Sequence, residues 1–293
     1  MSTEITAKLV NELRQRTSEA MMDCKKALVE TNGDIEAAVE YLRKKGQAKA
    51  VKKADRITAE GAVKVAQHGD LAAMIEVNCE TDFVARDENF KQFVDLAIEA
   101  AIKEHCHDIA QLSAISAVED ARKALVAKIG ENITLRRLYM VHAHPGEVFG
   151  TYVHSGRIGV VVVIKGNVSE DFAKGIAMHI AASNPQVVNP SDVSKEFLDK
   201  EKEIFMAQAQ AQGQGKPAEI IEKMVQGRIS KLLEEVSLLR QAYVRDPNQK
   251  VGDVLQKEKA EVVSFVRYEL GEGIEKKVDN FVEEVMAQVQ GGS

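Results

Sequence analysis

The sequence predicts an α+β fold in several units, because the spacing of its apolar residues changes period along the 293 residues. Before Gly61 apolar positions recur at helical intervals, and from Gly61 they alternate as in strands. Between residues 195 and 235 they return to two narrow helical stripes, and strand-like alternation resumes afterwards. The length points to about two domains. With 45% hydrophobic and 29% charged residues, the composition is that of a globular chain with ample material for a core.

The first unit reads as three short helices. Ile5, Leu9 and Leu13 share one face; Met21, Met22, Cys24 and Leu28 supply a second. Thr31-Asn32-Gly33 is a turn, after which Asp34 caps a helix carrying Ile35, Ala38, Val39 and Leu42. Lys44 to Arg56, with Lys45, Lys49, Lys52 and Lys53, reads as a basic linker, with a helical linker left open; contact with nucleic acid or an acidic surface is the competing reading. Ala62–Val65 and Leu71–Val77 flank His68-Gly69-Asp70, a hairpin signal. A helix starts at about Asp87 with Phe90, Phe93, Val94, Ala97, Ile98 and Ala101 on one face, and another covers Val118 to Ile129. Strands are expected at Ile133–Val141, Val148–Val153 and Ile158–Lys165. The helix carrying Phe172, Ile176 and Ile180 stops before Pro185.

An antiparallel helical hairpin follows. Phe197, Leu198, Ile204 and Phe205 mark one arm, and Ile220, Ile221, Met224, Val225, Leu232 and Leu233 the other; the turn between them ends at Pro217. Its polar tip (Gln208, Gln210, Gln212) suggests that it projects from the core. Val262, Ser264, Val266, Tyr268 and Leu270 then alternate with Val263, Phe265 and Arg267, and a last helix carries Ile274, Val278, Phe281, Val282 and Val285.

Little in the sequence points to covalent chemistry. A net charge of -6 argues against a nucleic-acid backbone as main partner. Cys24, Cys79 and Cys106 are far apart, fitting free thiols in a reducing compartment, and no CxxC occurs. The start lacks the pattern of a secretory signal, and the longest apolar stretch, Gly159–Ile164, is too short to span a bilayer, so a cytoplasmic location is expected. Gly213–Pro217 has Pro217 where a phosphate loop needs Ser or Thr, and Gly271-Glu-Gly273 lacks the third glycine of a dinucleotide fingerprint. His105-Cys-His-Asp108 on a helix would point about 100° apart per residue and could not converge on one metal. His142 and His144 share a strand face but lack further ligands. No cofactor, metal or catalytic residue is expected, and the chain reads as a non-enzyme.

The unusual segment is Val77–Phe90, VNCETDFVARDENF, where a strand gives way to a helix. Either Phe83 is a core residue with Asp82 capping a turn, or both stand at an exposed corner for a partner. The segment resembles the signature of the bacterial elongation factor Ts family. Similar matches are Leu13–Leu28, Lys128–Ile133, Arg157–Val160, His179–Ser183 and Phe265–Lys276, in order along nearly the whole chain. One departure is Thr17-Ser-Glu-Ala20, where the family reads Thr-Gly-Ala-Gly, which bears on the turn of the first unit.

The resemblance implies an N-terminal three-helix module like ubiquitin-associated domains with its linker (1–55), and core subdomains at 56–140 and at 141–185 with 236–270. It further implies an inserted hairpin at 186–235 and a C-terminal helical module at 271–293. The implied function is guanine-nucleotide exchange on elongation factor Tu, in its GDP-bound and nucleotide-free forms. Asp82 and Phe83 would enter the partner's G domain beside its magnesium site, with contacts from Arg14, Met21, Met22, Ile129 and His154. Ile274 and Phe281 would dock the last helix, and the hairpin would be a candidate for homodimer contacts. The alternatives are an adaptor built on the three-helix module and an RNA-binding accessory protein using the Lys-rich stretch.

Overall fold

A computed structural model describes residues 5–17, 19–212 and 217–275, and it is a mixture of helix and sheet. Helices α1 (Ala7–Thr17), α2 (Met21–Glu30) and α3 (Ile35–Lys53) close around Val10, Leu13, Cys24, Ala27, Leu28, Ala38 and Leu42. The α2–α3 turn needs two left-handed residues, Asn32 and Gly33, and Asp34 then accepts the Ala37 amide at 3.0 Å. One expectation changes here, and one open reading is decided. Met21 and Met22 are exposed and are not core filler, because Cys24, Ala27 and Leu28 already close the inner face of α2. The Lys-rich stretch is largely the second half of α3, a 19-residue helix whose Ala50 is buried in the next core.

That core backs a three-stranded antiparallel sheet. Strands β1 (Glu60–His68) and β2 (Leu71–Cys79) join at Gly69-Asp70, and β3 (Ile133–His142) pairs with the other edge of β2. Between β2 and β3 the chain forms α4 (Asp82–Arg86), α5 (Glu88–Lys103), α6 (Ile109–Ala114) and α7 (Ser116–Ile129). Asp87 caps α5 through the Asn89 amide at 2.8 Å, and Phe90, Phe93, Val94, Ala97, Ile98 and Ala101 face the sheet. The α6 helix was not anticipated; Asp108 caps it through Gln111 at 2.8 Å. The preceding His105 is left-handed and ends α5. No group of three or more metal-ligating side chains converges among the described residues. His142 closes β3 while His144 lies in the next turn, so the two do not share a strand face.

The second layer holds β4 (Glu147–His154), β5 (Ile158–Lys165) and α8 (Glu170–Ser183), then the hairpin arms α9 (Lys195–Gln212) and α10 (Ala218–Val236). The chain continues through β6 (Ala242–Tyr243), β7 (Asp246–Lys250), α11 (Val251–Lys257) and β8 (Glu261–Glu269), which pairs with β5 to give the order β4-β5-β8. The two sheets pack face to face through Val63, Ala72, Met74, Phe149, Val161, Val163 and Leu270, with helices on their outer faces. Alternation along β8 breaks, contrary to expectation. A register shift at Val163/Ile164 sets Val262 opposite Ile164 on the helix side, exposes Val263, and returns Val266 and Tyr268 to the sheet interface.

Buried Ala209 and Val225 sit on the two arms of the hairpin, while Phe197, Ile204 and Ile220 stay exposed. Its base is tied down by the Gln186 amide, which donates to the Val236 carbonyl at 2.8 Å, and by Gln241 against buried His179 at 2.9 Å. The expected last helix, from Val278 through Val285, lies outside the described residues. Among those described, no helix is long and apolar enough to cross a membrane.

Gly150 shows how closely β4 approaches α8. A Cβ there would stand 2.1 Å from the Ala173 carbonyl oxygen, a backbone atom that cannot swing away. Gly150→Ala is therefore expected to destabilise the fold by about 2 kcal/mol, in the range for overpacking, read as a lower urea midpoint at unchanged slope.

Candidate functional site

Strand β2 is buried along its length, so whatever follows Cys79 starts from a fixed point. The Cys79 thiol donates to the Thr81 carbonyl at 3.2 Å; burial, helped by the nearby Glu131 and Glu60 carboxylates, pushes its pKa up to about 12. It is a structural thiol and not a nucleophile. Thr81 stays extended and accepts the Val84 amide on its hydroxyl at 3.4 Å, starting α4. Thr81 is thus the cap and Asp82 the first helical residue, so a short helix precedes the one expected from about Asp87.

Helical spacing then divides the next side chains. Val84 turns inward and is buried, while Phe83 turns outward and is 81% exposed. Of the two readings open from sequence, the core role for Phe83 is excluded. Leaving a phenylalanine in water forgoes about 1.5–3 kcal/mol of burial free energy. Asp82 pairs with Arg86 at 2.9 Å across one helical turn, both well exposed, an interaction of small net value.

A brace holds this corner against the α7–β3 turn. Gly130 closes α7 with φ of 90°, which a side chain would strain. The next residue, Glu131, turns its carboxylate onto the corner, accepting the Thr81 hydroxyl at 2.6 Å, the Thr81 amide at 3.0 Å and the Glu80 amide at 3.1 Å. Reciprocally, Glu80 accepts the Asn132 amide at 2.6 Å, and buried Asn132 donates to the Ala54 and Arg56 carbonyls at 3.1 and 3.0 Å. Lys53 donates to the Gly130 carbonyl. The end of α3, the α7–β3 turn and the β2–α4 corner form one hydrogen-bonded unit. Glu131, Glu80, Thr81 and Asn132 were not singled out from sequence, although Glu131 and Asn132 lie inside the quoted Lys128–Ile133 string.

The other candidate residues fall around this unit to differing degrees. Ile129 is half-buried and packs against the helix–sheet core, so it supports the turn more than it offers a free contact. His154 is exposed at the end of β4, 3.1 Å from the Tyr152 hydroxyl, before the left-handed pair Ser155-Gly156. Its hairpin reaches the same end of the first sheet: Gly156 accepts the Val63 amide at 2.7 Å, and Arg157 pairs at 2.9 Å with Glu60, which faces Cys79 across the strands. Arg14 is exposed on α1 and lines a shallow depression with Asn11, Gln15 and Lys128. Met21 and Met22 are exposed at the start of α2, 51% and 64%.

Several described cations of α3 are engaged within the molecule: Arg43 with Asp120 at 2.5 Å, Lys44 with Glu40 at 2.7 Å, Lys45 with Asp23 at 2.9 Å, and beyond its end Arg56 with Glu80 at 3.5 Å.

Comparison with known proteins agrees with these local strings. The family model described as elongation factor TS matches residues 80–272. An elongation factor Ts of Legionella pneumophila (strain Paris) is 57% identical over 99% of this chain and 100% of the relative. That of Thioalkalivibrio sulfidiphilus is 55% identical over 98% and 99%, and that of Pseudomonas syringae pv. tomato 51% identical over 98% of each. The chain belongs to the elongation factor Ts family of translation elongation factors.

Proposed function

We propose that this protein is a guanine-nucleotide exchange factor that binds elongation factor Tu, disturbs its magnesium and phosphate site, and promotes GDP release. Family membership supports the partner. The observation that carries the mechanism is Phe83, 81% exposed on a corner held by buried β2 and the Glu131 brace. Such a side chain can enter a partner without first leaving a core of its own.

The chemistry is exchange of ligands, with no covalent bond made or broken, so the protein acts as a non-enzyme. A nucleotide held at nanomolar affinity corresponds to about 12 kcal/mol. A factor that binds the metal-disrupted form of its partner more tightly must weaken nucleotide binding by the same coupling free energy. Phe83 supplies apolar wedge area, and Asp82 adds negative charge near the phosphates and the ion. Arg14, Met21, Met22 and His154 are proposed as flanking contacts and Ile129 as their support.

Within this proposal 1–55 acts as contact module, 56–140 and 141–185 with 236–270 as the two core subdomains, 186–235 as hairpin and 271–293 as terminal module, in the cytoplasm. The exposed Phe197, Ile204 and Ile220 favour the hairpin as a homodimer contact. The engaged cations of α3 argue against direct nucleic-acid binding through that helix.

The test is release of labelled GDP from elongation factor Tu. Substoichiometric amounts of this protein are expected to accelerate release with multiple turnover; no acceleration overturns the proposal.

A further inference from the structure

We propose that Glu131 is the positioning residue of the exchange corner, acting through the Thr81 hydroxyl to fix where Phe83 stands; this rests on the exchange reading above. The geometry is directional. A threonine hydroxyl has one proton and two lone pairs. With the proton given to the Glu131 carboxylate at 2.6 Å, a lone pair is left facing the Val84 amide at 3.4 Å. The carboxylate thereby sets the hydroxyl rotor in its capping orientation. Its second oxygen holds the Thr81 and Glu80 amides at 3.0 and 3.1 Å, fixing the backbone direction into the helix.

Helix α4 needs this help. It has five residues, too few to sustain itself once nucleation is counted. Val84, with half-buried Ala85 beside it, is its small anchor in the core, and the Asp82–Arg86 pair is solvated. The direction in which Phe83 points is thus set by groups 50 residues further along the chain, presented by Gly130 and Asn132 from the opposite side of the corner. Because Glu131 is charged, its bonds are of the stronger, charge-assisted kind. A glutamine would turn amide hydrogens toward one set of these donors.

The experiment measures stimulated GDP release from elongation factor Tu for wild type, Glu131→Ala, Phe83→Ala and the double variant, as a function of factor concentration. Glu131→Ala is expected to lower the maximal release rate about tenfold, below the roughly hundredfold that a misplacement of about 1 Å can cost. The half-saturating concentration should shift much less. In the double variant, Glu131→Ala should add nothing to the loss from Phe83→Ala, because its effect runs through that ring. Independent losses that multiply, or an unchanged rate for Glu131→Ala, overturn the proposal.

Amide hydrogen exchange of the free protein supplies a readout that does not involve the partner. The amides of residues 81–86 should exchange about tenfold faster in Glu131→Ala while the strands of the first sheet are unaffected; unchanged protection of the corner overturns the proposal. Thr81→Val, which keeps the backbone donors and removes the hydroxyl, provides the same tests if Glu131→Ala does not fold. Failure of wild type to stimulate release would instead count against the exchange reading, leaving the hydrogen-exchange result to decide the role of Glu131 at the corner.

Discussion

Phe83→Ala is expected to slow stimulated GDP release by tenfold to a hundredfold while leaving the free protein as stable as before. Both halves come from the same observation, an aromatic ring 81% exposed in the unbound molecule. Burying such a ring in a partner yields about 1.5–3 kcal/mol, and about 1.4 kcal/mol corresponds to one factor of ten. If that burial occurs only in the complex with the opened nucleotide site, its loss appears in the release rate and not in initial association. In the free protein the ring contributes little packing, so the urea-unfolding free energy should change by no more than about 0.5 kcal/mol. Stopped-flow release with labelled GDP, together with urea unfolding of the variant, checks both. A variant that releases GDP as fast as wild type removes Phe83 from the mechanism. One that is strongly destabilised would mean that the ring is packed in the free protein after all. Asp82 stands differently: its pair with Arg86 is solvated, so breaking it on entry into a partner costs little.

The parts of this molecule that sequence reveals are those whose instructions lie within a few residues. His68-Gly69-Asp70 between alternating runs specifies the β1–β2 hairpin, and Asp87 before a stripe of phenylalanines specifies α5. Elements escape where instruction is distant or diluted. Five residues carry too little period to announce α4, and α11, at seven, suffers likewise. The lysines of residues 44–56 mask a helix whose buried residues there, among those described, are as small as Gly46 and Ala50. The bulge in β8 depends on which residue of β5 it meets, and no property of β8 alone encodes that. The candidate site divides the same way. The local string around Asp82 and Phe83 drew attention by itself, but the exposure of Phe83 did not follow from it. That is settled by Val84 taking the core position and by a carboxylate from across the sheet holding the turn.

A larger stability effect is expected at Glu76, in the middle of β2. Its side chain is fully buried, yet it carries charge, since the groups around it outweigh the cost. Burial pushes its pKa up; the Gly271 amide at 2.9 Å, Arg136, Asn78 and Arg137 together hold it below the ordinary carboxylate value. A bulge makes this possible. Glu76 pairs with Arg137 and Val77 with Leu135, so Arg136 is the extra residue, and consecutive arginines that would point to opposite faces both reach one carboxylate, at 2.9 and 2.6 Å. Arg137 also stacks on Tyr268, 4.2 Å from the ring centroid, and pairs with Glu272 at 3.0 Å, while Arg136 donates to the Glu272 carbonyl. The cluster thus fastens the segment after β8 to the first sheet, on the strand that three residues later ends at the corner carrying Phe83. Glu76→Gln leaves Arg136 without its carboxylate and Arg137 with Glu272 alone, each guanidinium about a quarter exposed. A loss of about 3 kcal/mol is expected, toward the lower end for breaking a buried pair because water reaches both arginines. The pH dependence separates charge from packing. Since the folded pKa is lowered from 4.5, the stabilisation is fully present above that value and disappears as the pH falls through the depressed one. The gap in unfolding free energy between wild type and Glu76→Gln should be widest above about pH 5 and narrow below pH 4.5. A gap that stays constant across that range would show that the glutamate is held for its shape and not for its charge.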